Sequence, residues 1–252
     1  MRSSNPVFSK IQREEAYVGA NTASYRGISL KTMLLLGLAV LSGVFLISSL
    51  YRQSSTGSMD VSSLSGLLFG SMAVAFISVL VASFVPRLAM PFSILYAVSE
   101  GVALGFLTLI LEIIVPGIAI TAIIATATIF VVMLFLYSSR AIRVTHRFRK
   151  IMYGALFSIL ILSVVFGLLY FIAPGVVALV SQNTGLALIV SGALIIFGAL
   201  MLTLDFDRAE TIVESGADKM YEWVVALGLM VTIVWIYVEL LRFLLIIASR
   251  RN

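Results

Sequence analysis

Long apolar stretches separated by short polar breaks organise this chain. Seven windows approach or exceed the roughly 20 apolar residues a helix needs to cross a bilayer: about 32–50, 62–85, 91–113, 118–138, 151–172, 185–206 and 223–248. The runs are continuous rather than alternating, so they predict helices and not barrel strands. The breaks have turn chemistry. Arg52 to Asp60 is rich in serine and glycine, Pro86-Arg87 and Pro91 bracket a tight turn, Pro116-Gly117 makes another, and Pro174-Gly175 opens a longer fifth loop. A polar arm, residues 1–31, precedes the first window, which therefore reads as a retained span and not a signal peptide. Within the arm, VFSKIQREEAYV hints at a short amphipathic surface helix. The expectation is an all-α membrane protein with an arm (1–31) and one seven-helix transmembrane domain (32–252).

Composition agrees. The chain is 61% hydrophobic and 12% charged, far from the balance of a soluble domain of this size. It has no cysteine, which removes disulfides, thiolate metal sites and thiol catalysis. The net charge of +5 lies at span ends, so it is no nucleic-acid footprint. It sets orientation instead. With the N-terminus cytoplasmic, 13 of the 17 lysines and arginines fall on cytoplasmic segments: the arm, Arg87, the Arg140–Lys150 loop, Arg208 and Lys219. The C-terminus is then outside.

Against this apolar background, charges within spans stand out, because they are costly in hydrocarbon and mark ion or proton paths by default. Glu239 and Arg242 lie three apart in the seventh window, on one helical face, and Thr232 joins that stripe. Two readings stand: an ion path, or a structural pair with Arg242 snorkelling outward. Glu100 lies mid-window in the third span, just before Gly101 and Gly105, whose spacing favours close helix contact. It is either a transport group or a protonated structural acid. Gly66 and Gly70 repeat the spacing in the second span; each motif serves internal packing or a homodimer. Asp205 and Asp207 close the sixth span. Two residues subtend about 200° on a helix, so they face opposite ways. Together they are either a carboxylate gate at an inner mouth or a charged helix end before a solvated acidic loop of Glu210, Glu214, Asp218 and Glu222. His146 and its arginine neighbours read as a solvated loop touching anionic lipid. Trp223 reads as an interfacial anchor and Trp235 as packing.

Several activities are excluded on residues. A retinal Schiff base needs a lysine in the last span, and the last lysine is Lys219. There is one histidine, so no HExxH. Ile189-Val190-Ser191-Gly192 lacks the first glycine of GxSG, GxGD is absent, and so is an ATP-binding motif. The protein reads as no enzyme.

Three segments carry a family resemblance: Tyr96-Ala-Val-Ser-Glu-Gly-Val-Ala-Leu-Gly105, Leu204-Asp-Phe-Asp207 and Tyr237-Val-Glu-Leu-Leu-Arg-Phe243. They resemble the Bax inhibitor-1/YccA-like (TMBIM) family, and Arg2-Ser-Ser-Asn-Pro-Val-Phe8 resembles a bacterial subgroup with a longer arm. The resemblance implies seven helices with the last central and wrapped by the other six. It also implies a pH-sensitive calcium leak governed by one aspartate ending helix six and another on helix seven. Asp207 matches the first; Thr232 stands where the second would be, so that latch is absent or rebuilt, with Asp205 and Glu239 as available substitutes.

The expectation is therefore an inner-membrane cation leak with calcium as permeant ion. Glu100, Glu239 and Arg242 would form a buried network, with Asp207 and Asp205 guarding the cytoplasmic mouth. No cofactor or tightly bound metal is expected, only transient calcium at Asp207 or Glu239. Expected partners are the lipid bilayer and calcium or protons, not nucleic acid. The rivals are a non-conducting regulator that binds a membrane protease or other membrane partner through the arm, and a proton-coupled carrier.

Overall fold

The structure, a computed structural model, describes residues 22–55, 61–181 and 183–250. Residues 1–21, including the expected amphipathic stretch of the arm, lie outside this set, as do 56–60 of the first loop. Among the described residues seven long helices follow in order: α1 (Tyr25–Ser55), α2 (Val61–Phe84), α3 (Ala89–Ile114), α4 (Ile118–Ser138), α5 (His146–Ile172), α6 (Thr184–Glu214) and α7 (Tyr221–Ser249). All seven are long and apolar enough to cross a membrane, and the protein is an all-α membrane protein. A short 3-10 turn, Pro86–Leu88, joins α2 to α3, and a helix, Pro174–Ser181, occupies part of the fifth loop, which the sequence reads only as a loop.

Helices extend past the apolar windows because capping, not hydropathy, sets their ends. α1 begins at Tyr25, within the expected arm, where the Ser24 hydroxyl accepts a hydrogen bond from the Gly27 amide at 3.0 Å. α5 begins at His146, with the Thr145 hydroxyl accepting from the Phe148 amide. At the α3–α4 turn, Gly117 takes a left-handed φ of 83°, open to a residue without Cβ. There the Glu112 carboxylate accepts from the amides of Gly117 (2.6 Å) and Ala119 (3.1 Å), placing negative charge at the start of α4.

The chain divides into two compact units. One comprises Met1–Phe106 and Arg208–Met230. In it, α1 and α3 meet backbone to backbone: a Cβ on Gly101 would lie 2.2 Å from the Ala39 carbonyl oxygen, and one on Gly105 would lie 2.7 Å from the Gly43 Cα. The third-span glycines thus serve internal packing. Gly66 and Gly70 on α2 face open space. The other unit comprises Leu107–Asp207 and Val231–Asn252. Here α5 and α6 share a cluster of Met152, Met201 and Leu204, backed by Phe148, Leu156 and Phe197. Trp235 on α7 packs against Phe197, ring centroids 5.5 Å apart.

Enclosure separates the helices. In α7, 67% of the apolar window is buried, against 0–33% in the others, so the last helix is the enclosed one. Elsewhere large apolar side chains point outward, with Phe84 81% and Phe171 83% exposed, surfaces that hydrocarbon covers.

Candidate functional site

Within the second unit, one face of α6 carries Ser191, Gly198 and Asp205, each seven residues from the next. Opposite them on α7, in antiparallel order, stand Glu239, Ile236 and Thr232. Gly198 permits the approach, since a Cβ there would lie 2.8 Å from Ile236 Cγ1. Polar pairs flank this contact on both sides. Thr232 Oγ1 donates to Asp205 Oδ2 at 2.6 Å. The Ser191 hydroxyl lies 3.2 Å from Glu239 Oε2 and 3.3 Å from the Glu239 carbonyl oxygen, and its one proton serves one of them at a time.

Glu239 also faces Arg242, one turn on, at 3.5 Å. The pair is asymmetric: the glutamate side chain is 10% exposed and the arginine 61%. The guanidinium thus reaches outward while the carboxylate stays within, a geometry that joins snorkelling to an ion pair.

Asp207 faces away from Asp205, as the helical angle requires. Its carboxylate pairs with Arg149 in the first turn of α5. Phe206, between the two aspartates, packs on Phe130 and Tyr137 of α4, with centroids 5.6 and 5.7 Å away. The end of the apolar part of α6 is therefore tied to three neighbours by three successive side chains.

Glu100 belongs to the first unit. It is half-buried on α3 and forms no hydrogen bond or ion pair among the described residues, while Glu239 and Arg242 pair within the second unit. Three further residues escape sequence reading. Ser191 carries a findable signal, the seven-residue spacing to Gly198 and Asp205. Arg149 does not stand out from the other basic residues of its loop. Glu222 corrects an expectation: the sequence places it in a solvated acidic loop, and the structure buries it completely, paired with Lys31. Asp218 at the same loop is exposed, so sequence position alone does not tell the two apart.

Among the described residues, no group of three or more histidine, aspartate or glutamate side chains could hold a metal ion. The sequence pattern of one family, described as Bax inhibitor 1 like, matches residues 5–249. Comparisons with curated proteins and with solved structures return no match.

Proposed function

The chain belongs to the Bax inhibitor 1-like family, and from that premise we propose that it is a pH-sensitive cation leak, with calcium as the permeant ion, gated by span-borne carboxylates. The observation that supports this is the pairing of Asp207 with Arg149 and of Glu239 with Arg242. Each pair holds only while its carboxylate is charged. Protonation removes the Coulomb attraction and leaves a neutral hydrogen bond at most, which shifts an open–closed balance. One pKa unit of difference between the two states is worth about 1.4 kcal/mol, enough to move a two-state population severalfold.

Asp205 plays another part in this reading. A carboxylate accepts from the Thr232 hydroxyl when charged, and a carboxylic acid can still exchange a hydrogen bond with it when neutral. That contact keeps α6 against α7 across the pH range, and the ion pairs carry the response. Cations would touch the carboxylates transiently. In this reading the protein lies in the inner membrane, and the bias of its basic segments favours a cytoplasmic N-terminus with Asp207 toward the cytoplasmic mouth.

The test is calcium entry into dye-loaded liposomes carrying the purified protein at pH 6, 7 and 8. The wild type should leak in a pH-dependent way, and Asp207→Asn with Glu239→Gln should flatten that dependence. Unchanged flux and pH profile in the double variant would remove the gate assignment. Absence of flux above empty liposomes at every pH would favour the partner-binding regulator.

A further inference from the structure

The start of α1 and the first turn of α7 meet inside the first unit around one buried carboxylate. Glu222 is 0% exposed and accepts from the Ser24 amide at 2.8 Å, from the Ser24 hydroxyl at 3.0 Å and from Lys31. Lys31 also lies 3.4 Å from the Lys219 carbonyl oxygen and 5.0 Å from the centre of the Trp223 ring. Beside this, the Ala23 amide donates to the Ala217 carbonyl, and Thr22 bridges Asp218 in antiparallel fashion.

The arrangement is a capping box split between two helices. In the ordinary box, a serine at the N-cap bonds the amide three residues on, and a glutamate at that third position returns to the N-cap amide. Here Ser24 is the N-cap and bonds the amide at the third position, but that residue is Gly27. The returning carboxylate comes from Glu222 instead. A Cβ on Gly27 would sit 2.1 Å from Glu222 Oε1, so the missing side chain is the space the foreign carboxylate fills. The same carboxylate lies at the positive ends of both helix dipoles. Lys31, one turn beyond Gly27 on α1, supplies the charge that makes its burial tolerable.

We propose that Ser24, Gly27, Lys31 and Glu222 form a latch that couples the chain entering α1 to the first turn of α7, and that releasing it changes the protein's conductance. α7 is also the helix that carries Thr232, Glu239 and Arg242. Displacing residues 22–24 therefore pulls on the helix that bears the gate. The conductance part of the proposal rests on the cation-leak reading; the latch itself does not.

The experiment follows backbone amide exchange across residues 22–31 and 217–223 in the full-length protein, with calcium flux measured on the same preparations. Glu222→Gln and Gly27→Ala should each raise exchange of the Ser24 amide about tenfold or more, through loss of a charge-assisted bond, and should raise flux. Lys31→Arg keeps the charge and should behave as wild type, and Lys31→Met replaces Glu222→Gln if that variant does not fold. Unchanged exchange in both Gly27→Ala and a charge-removing variant would overturn the latch. Raised exchange with wild-type flux would overturn its control of conductance and leave a purely structural cap. If the wild type itself shows no flux, the leak reading fails and exchange alone decides the latch.

Discussion

Two aspartates two residues apart have different work where the apolar part of α6 ends. Asp205 meets a hydroxyl on α7, and Asp207 meets a guanidinium on α5. A hydroxyl partner asks for no shared proton, whereas two carboxylates at the same separation cannot both stay ionised. Thr232→Asp should therefore create a coupled carboxyl pair with Asp205. Flux plotted against pH should gain a titration step absent from the wild type, and Thr232→Val should gain none. Superimposable profiles for wild type and Thr232→Asp would show that this contact does not report on protons. The two aspartates and Thr232 are visible in the sequence because charges and departures from pattern stand out in apolar runs. Arg149 and Glu222 are not, since their roles depend on which residue meets which across helices, and a loop of five bases or of several acids offers no way to rank its members.

At the scale of the element, the helices themselves are legible almost entirely from hydropathy, because a bilayer demands a minimum apolar length and internally satisfied backbone. Their ends are less so. α1, α5 and α6 run beyond their apolar windows, where Ser24 and Thr145 caps and ordinary helix propensity take over from lipid. Helix contacts divide the two glycine motifs, which are equal as sequence. Gly101 meets backbone atoms of α1, and Gly66 meets nothing within 4 Å. Overpacking against a backbone that cannot give costs about 1–3 kcal/mol or more. Gly101→Ala should lower the melting temperature in detergent by several degrees, and Gly66→Ala should leave it unchanged. A clear loss of stability or of oligomer in Gly66→Ala would instead reveal a partner on α2.

For the whole molecule, the charge asymmetry that assigns orientation is open to direct test. The natural chain contains no cysteine, so each introduced thiol reports alone. Under the proposed orientation, Arg250→Cys should react with a membrane-impermeant maleimide on intact cells, and Arg143→Cys should react only after permeabilisation. The reverse pattern would invert the protein and move Asp207 to the outer mouth. What composition could not supply at this scale is the unequal enclosure of the helices. All seven windows are similarly apolar, yet 67% of the α7 window is buried and none of the α5 window.

That inequality bears on how the protein is made. The most enclosed helix is the last of the seven to leave the ribosome. Lys31, Thr108 and Ser191 are synthesised and inserted before it, and their partners Glu222, Tyr237 and Glu239 all arrive with α7. Until then these polar groups must borrow water or lipid headgroups, or stay back at the translocon. Completion of the final helix is thus the step at which a set of inserted spans becomes one folded protein. A nascent chain halted before Tyr221 carries Lys31, Thr108 and Ser191 and lacks the two carboxylates and the phenol that partner them, the kind of unfinished product that membrane quality control would meet first.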